Sequence, residues 1–196
     1  MGKLLLAVVI GLCAFAFRVY ESMDMGRSLF IVDPYDNLDD SVKGSEDIEL
    51  IRSEGIAFVT SGLVFMQHQR KDVEGKMFLY DFKQQLGNQL KAKELPIKGD
   101  SFDQGNFHPH GLTHWVIDDV ITLYAINHDD DFKHSIEASQ LRQVHLNQNY
   151  SKLRKRVYIY RPNTIVAVGP DQFIITNDGV AQTELTNFFE ILSGYR

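Results

Sequence analysis

The constraint that most limits this chain is the length of its apolar runs. Beyond residue 45 they are short, and turn residues punctuate them. Ile56–Val59 is followed by Ser61-Gly62, and Met77–Phe82 follows Glu74-Gly75-Lys76. Trp115–Ile117 and Val120–Ile126 flank the two acids Asp118-Asp119, and Thr164–Val168 and Gln172–Thr176 flank Gly169-Pro170-Asp171. Runs this short suit strands and fall below the ten or so residues a helix needs. Apolar runs on either side of a tight turn read as hairpins. Arg142–Leu146 and Val157–Tyr160 are further expected strands, and the basic stretch Lys152–Arg156 reads as a solvated strand edge. Only residues 184–193 carry the period of an amphipathic helix. The reading is an all-β fold of sandwich, barrel or propeller type. The similar strand ends Phe-Val-Thr-Ser-Gly, Tyr-Ala-Ile-Asn-His and Ile-Ile-Thr-Asn-Asp hint at blades.

The exception is the N-terminus. Leu4 to Phe17 is an uncharged apolar stretch between Lys3 and Arg18. That is the pattern of a secretory signal, with Ala14-Phe15-Ala16 as a small-x-small cleavage site, or of an uncleaved signal anchor. Either sends the chain into the secretory pathway, where Asn149-Tyr150-Ser151 is a glycosylation acceptor. Retention as an anchor is expected. Residues 1–18 are then the signal or anchor, 19–44 a polar, acidic connecting segment, and 45–196 the β domain. With 26 acidic and 20 basic residues the net charge is −6, which argues against nucleic-acid binding. The single cysteine, Cys13, allows neither an intrachain disulfide nor a cysteine metal site.

Two groups of residues could carry chemistry. Of seven histidines, His108, His110 and His114 are the densest cluster, and His128 closes the following hairpin. The cluster could converge on a metal, or its members could be separate core and surface histidines. The second group is acidic or amide: Glu46-Asp47, Asp118-Asp119, Asp129-Asp130-Asp131 and Asn177-Asp178. Oxygen donors at strand ends are what a hard cation such as Ca²⁺ takes, and otherwise they are solvated turns. Neither a Gly-rich phosphate loop nor a Gly-x-Ser-x-Gly elbow is present.

These residues also carry a resemblance. Gly44-Ser45-Glu46-Asp47-Ile48-Glu49, then Phe107-His108-Pro109-His110-Gly111-Leu112-Thr113, then Val-Ala-Val-Gly-Pro at 166–170 leading to Thr176-Asn177-Asp178, occur in order. In all three the chain resembles the paraoxonase/arylesterase family. The resemblance implies a six-bladed β-propeller that hydrolyses lactones, aryl esters and organophosphates with two Ca²⁺ ions in a central tunnel. It implies Glu46 and Asn177 as ligands of the catalytic calcium. It implies Asp47, Asp178 and the Leu112 carbonyl as ligands of the structural one, and His110 and His128 as the catalytic histidine dyad.

His108 stands where the family usually has asparagine, and Asp129 where it usually has proline. The early cysteine of the family is absent. At roughly 40–50 residues per blade, residues 19–196 supply only the first half to two-thirds of a propeller. The expectation is therefore a truncated member with at most one complete calcium site and reduced or no activity. Its partners would be a small ester or lactone substrate and a lipid surface met by residues 4–17. The alternative is a membrane-anchored, non-enzymatic accessory protein that assists ion-channel assembly through a membrane-protein partner.

Overall fold

The computed structural model of the chain describes residues 2–22, 25–26, 42, 44–63, 73–83, 92–97, 102–131, 133–142, 151–155, 159, 161–181 and 183–193. The Asn149 acceptor and most of the 19–44 connection lie outside these, as does the strand expected at 157–160 except for Ile159. The chain divides into two compact units, residues 1–35 with 179–196, and residues 36–178.

The first unit is helical. α1 (Gly2–Ser22) runs past Arg18 and takes the polar flanks into the apolar stretch. Its 21 residues make a rod of about 30 Å, the thickness of a bilayer's hydrocarbon core. None of its apolar span is buried. α2 (Glu184–Ser193) occupies the residues expected to be helical. Its start is fixed by a reciprocal cap: Thr186 N donates to Thr183 Oγ1 and Thr183 N donates to Thr186 Oγ1. Glu190 accepts the N–H groups of Val180 and Ala181, folding the incoming chain onto the helix.

Among the described residues the second unit holds three antiparallel sheets. β1 (Ile48–Ile51), β2 (Ile56–Ser61), β3 (Lys76–Asp81) and β4 (Lys93–Leu95) form a meander in chain order. β5 (Pro109–Ile117), β6 (Val120–His128), β7 (His134–Arg142) and β8 (Ser151–Lys155) form a second, and β9 (Pro162–Gly169) and β10 (Gln172–Asn177) a hairpin. The turns explain the registers. Gly55 takes φ +69° to close β1–β2, a conformation that penalises any Cβ. Asp118 and Asp119 both have positive φ in the two-residue turn between Ile117 and Val120, the geometry that matches strand twist.

Of the strand expected at 142–146 only Arg142, the last residue of β7 (His134–Arg142), lies within the described residues, and β7 itself carries no apolar run in the sequence. Its buried polar residues Glu137 and Ser139 interrupt the apolar run that would have marked it. Among the described residues the basic strand β8 lies at the edge of its sheet, paired with β7.

The second sheet is covered on both faces. On one side Leu112, Ile121, Leu123 and Leu141 pack with Ile51, Phe58, Met77 and Leu79 of the first sheet. On the other side Tyr124, Ile126, Ile136 and Ala138 meet Ile165, with Phe173 and Ile175 against them. This double burial is why residues 120–126 are nearly continuously apolar rather than alternating. Successive sheets are stitched together, β2 to β5 and β5 to β9. Thr60 Oγ1 donates to the His110 carbonyl, and Ala167 N donates to Thr113 Oγ1. Gly111 lets β9 approach: a Cβ there would sit 2.6 Å from the Asn163 carbonyl oxygen.

Candidate active site

β1, β5 and β9 begin, and β6 and β10 end, at the same end of the second unit's strands. The motif residues flank those ends. Glu46 and Asp47 precede β1, His110 and Leu112 open β5, His128 ends β6, and Asn177 and Asp178 end β10.

The centre of the site is a line of three side chains. Glu46 Oε1 lies 3.0 Å from His110 Nε2, and His110 Nδ1 lies 3.1 Å from His128 Nε2. The two rings meet edge to face at 4.9 Å. The His110 side chain is only 4% exposed, whereas Glu46 is 35% exposed. The middle of the line is therefore buried, Glu46 reaches solvent at one end, and His128 is half-buried at the other. The backbone around it is over-determined. Thr60, fully buried, bonds the His110 carbonyl and also accepts Asp47 N–H at 3.1 Å. His128 N donates to the His108 carbonyl, and His108 N to Asn127 Oδ1 at 2.7 Å. Asn127 Nδ2 and Asp130 N both bond Asn106, tying the approach to β5 to the end of β6.

His108, His110 and His114 do not converge. His108 is buried and spans from the Gly62 carbonyl to Asp130, His110 faces Glu46, and His114 pairs with Glu49. Each ring takes its own carboxylate, and among the described residues no three His, Cys, Asp or Glu side chains form a metal cluster. The acidic donors present are of a different kind. Asp47 accepts Ile48 N–H through Oδ1 and Leu112 N–H through Oδ2, at 2.8 and 2.7 Å. A carboxylate has about four lone-pair positions, so each oxygen retains one for a cation. Asp178 is exposed; it accepts from Asn163 Nδ2, and its own N–H donates to the Arg161 carbonyl. Asn163 lies against Gly111, so Asp178 is linked through it to the start of β5. Carboxylate and carbonyl oxygens are donors that suit a hard cation and not a thiophilic one.

Three contributors escape a reading by motif: Thr60, the Asn106–Asn127 link, and His134. His134 stands directly opposite His128 in the β6–β7 register. Counting back symmetrically from the turn at 129–133 would have found it.

A family model described as Arylesterase matches residues 36–195. The chain is 32% identical to "Serum paraoxonase/lactonase 3" of Homo sapiens, over 100% of this chain and 56% of the relative. It is 30% identical to "Serum paraoxonase/arylesterase 2" of Gallus gallus, over 99% of this chain and 56% of that relative. With "Serum paraoxonase/arylesterase 1" of Homo sapiens it shares 31% identity over 91% of this chain and 52% of the relative. The chain thus spans about half the length of the curated relatives it matches.

Proposed function

The chain belongs to the arylesterase family, and on that premise we propose that it works as a calcium-dependent hydrolase of lactones, aryl esters and organophosphates, held at a membrane by α1. In this reading each four-stranded sheet is one blade of a six-bladed propeller, and β9–β10 opens the third. The observation that carries the reading is the Glu46–His110–His128 line, because it is a base, a second proton acceptor and an orienting carboxylate in hydrogen-bond sequence.

The residues act as follows. A neutral imidazole of the pair takes a proton from the attacking water. The 3.1 Å Nδ1···Nε2 contact lets the second ring share that proton and later return it to the leaving group. Glu46, against His110 Nε2, stabilises the positive charge the ring acquires. Thr60 and the backbone bonds around His108 hold the backbone of both residues in place. Glu46 and Asn177 would hold a catalytic calcium, and Asp47, Asp178 and the Leu112 carbonyl a structural one. A bound calcium supplies polarisation of the carbonyl or phosphoryl oxygen. The structural set carries two carboxylates against one in the catalytic set, so it should bind more tightly.

The test is hydrolysis of phenyl acetate and of a simple lactone by the membrane-reconstituted chain, with calcium and with a chelator. Turnover above background that the chelator abolishes and calcium restores is expected. A folded, calcium-loaded chain without turnover would reject the hydrolase and favour the accessory reading.

A further inference from the structure

We infer that His134 is a positioning residue for the histidine pair: its ring packs on His128 and holds that ring in line with His110. The inference rests on the hydrolase reading for its kinetic consequence, although the geometry stands by itself. His128 and His134 are the last pair of the β6–β7 ladder and project from the same face of the sheet. Their ring centroids are 4.5 Å apart with the planes tilted by 59°. His134 is 9% exposed, so its ring is fixed by its surroundings rather than by chance contact with solvent.

The turn that joins the two residues is itself pinned. Asp129 Oδ1 accepts the N–H groups of Asp131 and Lys133 at 3.0 and 2.6 Å, and Asp129 N donates to the Lys133 carbonyl. Lys133 Nζ closes the turn on Asp131 at 3.1 Å. A side chain that gathers the following N–H groups in this way sets the turn without help from glycine. The register, and with it the ring contact, follows from that turn. His110 then fixes His128 by one nitrogen, while His134 limits its remaining rotation. A line of rings results, His110, His128, His134, with Glu46 at its far end.

The roles of the three are different. His110 and His128 exchange a proton through nitrogen atoms, whereas His134 meets His128 through its ring. The ring contact is what the inference assigns to His134. A phenyl ring should replace it, and a methyl group should not.

The experiment compares His134→Ala and His134→Phe in the full chain. One readout is the set of ring nitrogen signals of His128 in long-range ¹H–¹⁵N spectra, which report its tautomer and hydrogen bonding. The other is kcat and KM for phenyl acetate. For His134→Ala, the His128 signals should move towards those of a solvent-averaged ring. Its kcat should fall about 10- to 100-fold, the scale of a misplaced catalytic group, with KM within about twofold. His134→Phe should keep the wild-type signals and most of the rate. Should the alanine variant fail to fold, the phenylalanine variant decides alone: wild-type His128 signals support the inference, and displaced ones overturn it. Unchanged His128 signals in the alanine variant, or equal damage in both variants, would also overturn it. A wild-type chain with no turnover would sink the hydrolase reading only, because the nitrogen signals still test the positioning role.

Discussion

Thr60→Val tests whether one buried hydroxyl holds the site to the fold. Valine keeps the shape and replaces the hydroxyl with a methyl group. Thr60 is 0% exposed, and its Oγ1 donates to the His110 carbonyl and accepts Asp47 N–H, both at 3.1 Å. The variant leaves a carbonyl and an amide without that partner. A buried polar group so stranded costs about 1–3 kcal/mol. The His110 carbonyl is enclosed and should cost towards the upper end. The Asp47 amide is only partly buried, so water recovers some of its loss. The expected sum is about 2–4 kcal/mol, a large share of a typical stability of about 5–15 kcal/mol. With a urea m-value of about 2 kcal/mol/M, the midpoint should drop by about 1–2 M. Urea unfolding followed by fluorescence of the single tryptophan, Trp115 in β5, measures this. Thr60→Ser is the control: it retains both bonds and loses one methyl, at about 1 kcal/mol. A valine variant within about 0.5 kcal/mol of wild type, or a serine variant equally damaged, would refute the argument.

Gly111→Ala should force β9 away from β5, since the new methyl would lie 2.6 Å from the Asn163 carbonyl oxygen and 2.8 Å from Thr164 Cα. A loss of about 1–3 kcal/mol is expected, read as a lowered melting temperature; an unchanged melt would contradict it. His110→Gln, which cannot pass a proton to His128, should lower hydrolysis by about 10²–10⁴, and an unchanged rate would remove His110 from the mechanism. Tyr124 sets an alkaline limit. Burial, and secondarily the negative charge of Asp171, raise its phenol above the ordinary value of 10.0, against a backbone hydrogen bond at Asp171 that lowers it. The unfolded chain therefore releases this proton first, so its contribution is present below about pH 10 and is lost as pH rises through the folded value. The melting temperature should fall above that pH, and less so in Tyr124→Phe; equal slopes would refute the assignment.

The parts of this protein that the sequence determined by itself are the local ones. Asp118-Asp119 and Gly169-Pro170-Asp171 turn the chain through backbone preferences of adjacent residues, and the Thr183–Thr186 cap starts α2 three residues apart. The apolar helix α1 likewise needs nothing but its own composition. The three motifs named the family and proposed the site residues because they are contiguous strings. Tertiary structure decided what those residues touch. β7 went unnamed because its burial comes from neighbouring strands, which admit the polar Glu137 and Ser139, so no apolar run marks it. The dense histidine cluster was dispersed because each ring met a carboxylate from elsewhere: Asp130, Glu46 or Glu49. The latter two come from the start of the first sheet, and sequence spacing along β5 carries no record of them. Thr60 and His134 were silent for the same reason. A hydroxyl or an imidazole has no periodicity to betray it, and its role exists only once two strands that are separate in the chain are brought within about 3 to 5 Å of one another.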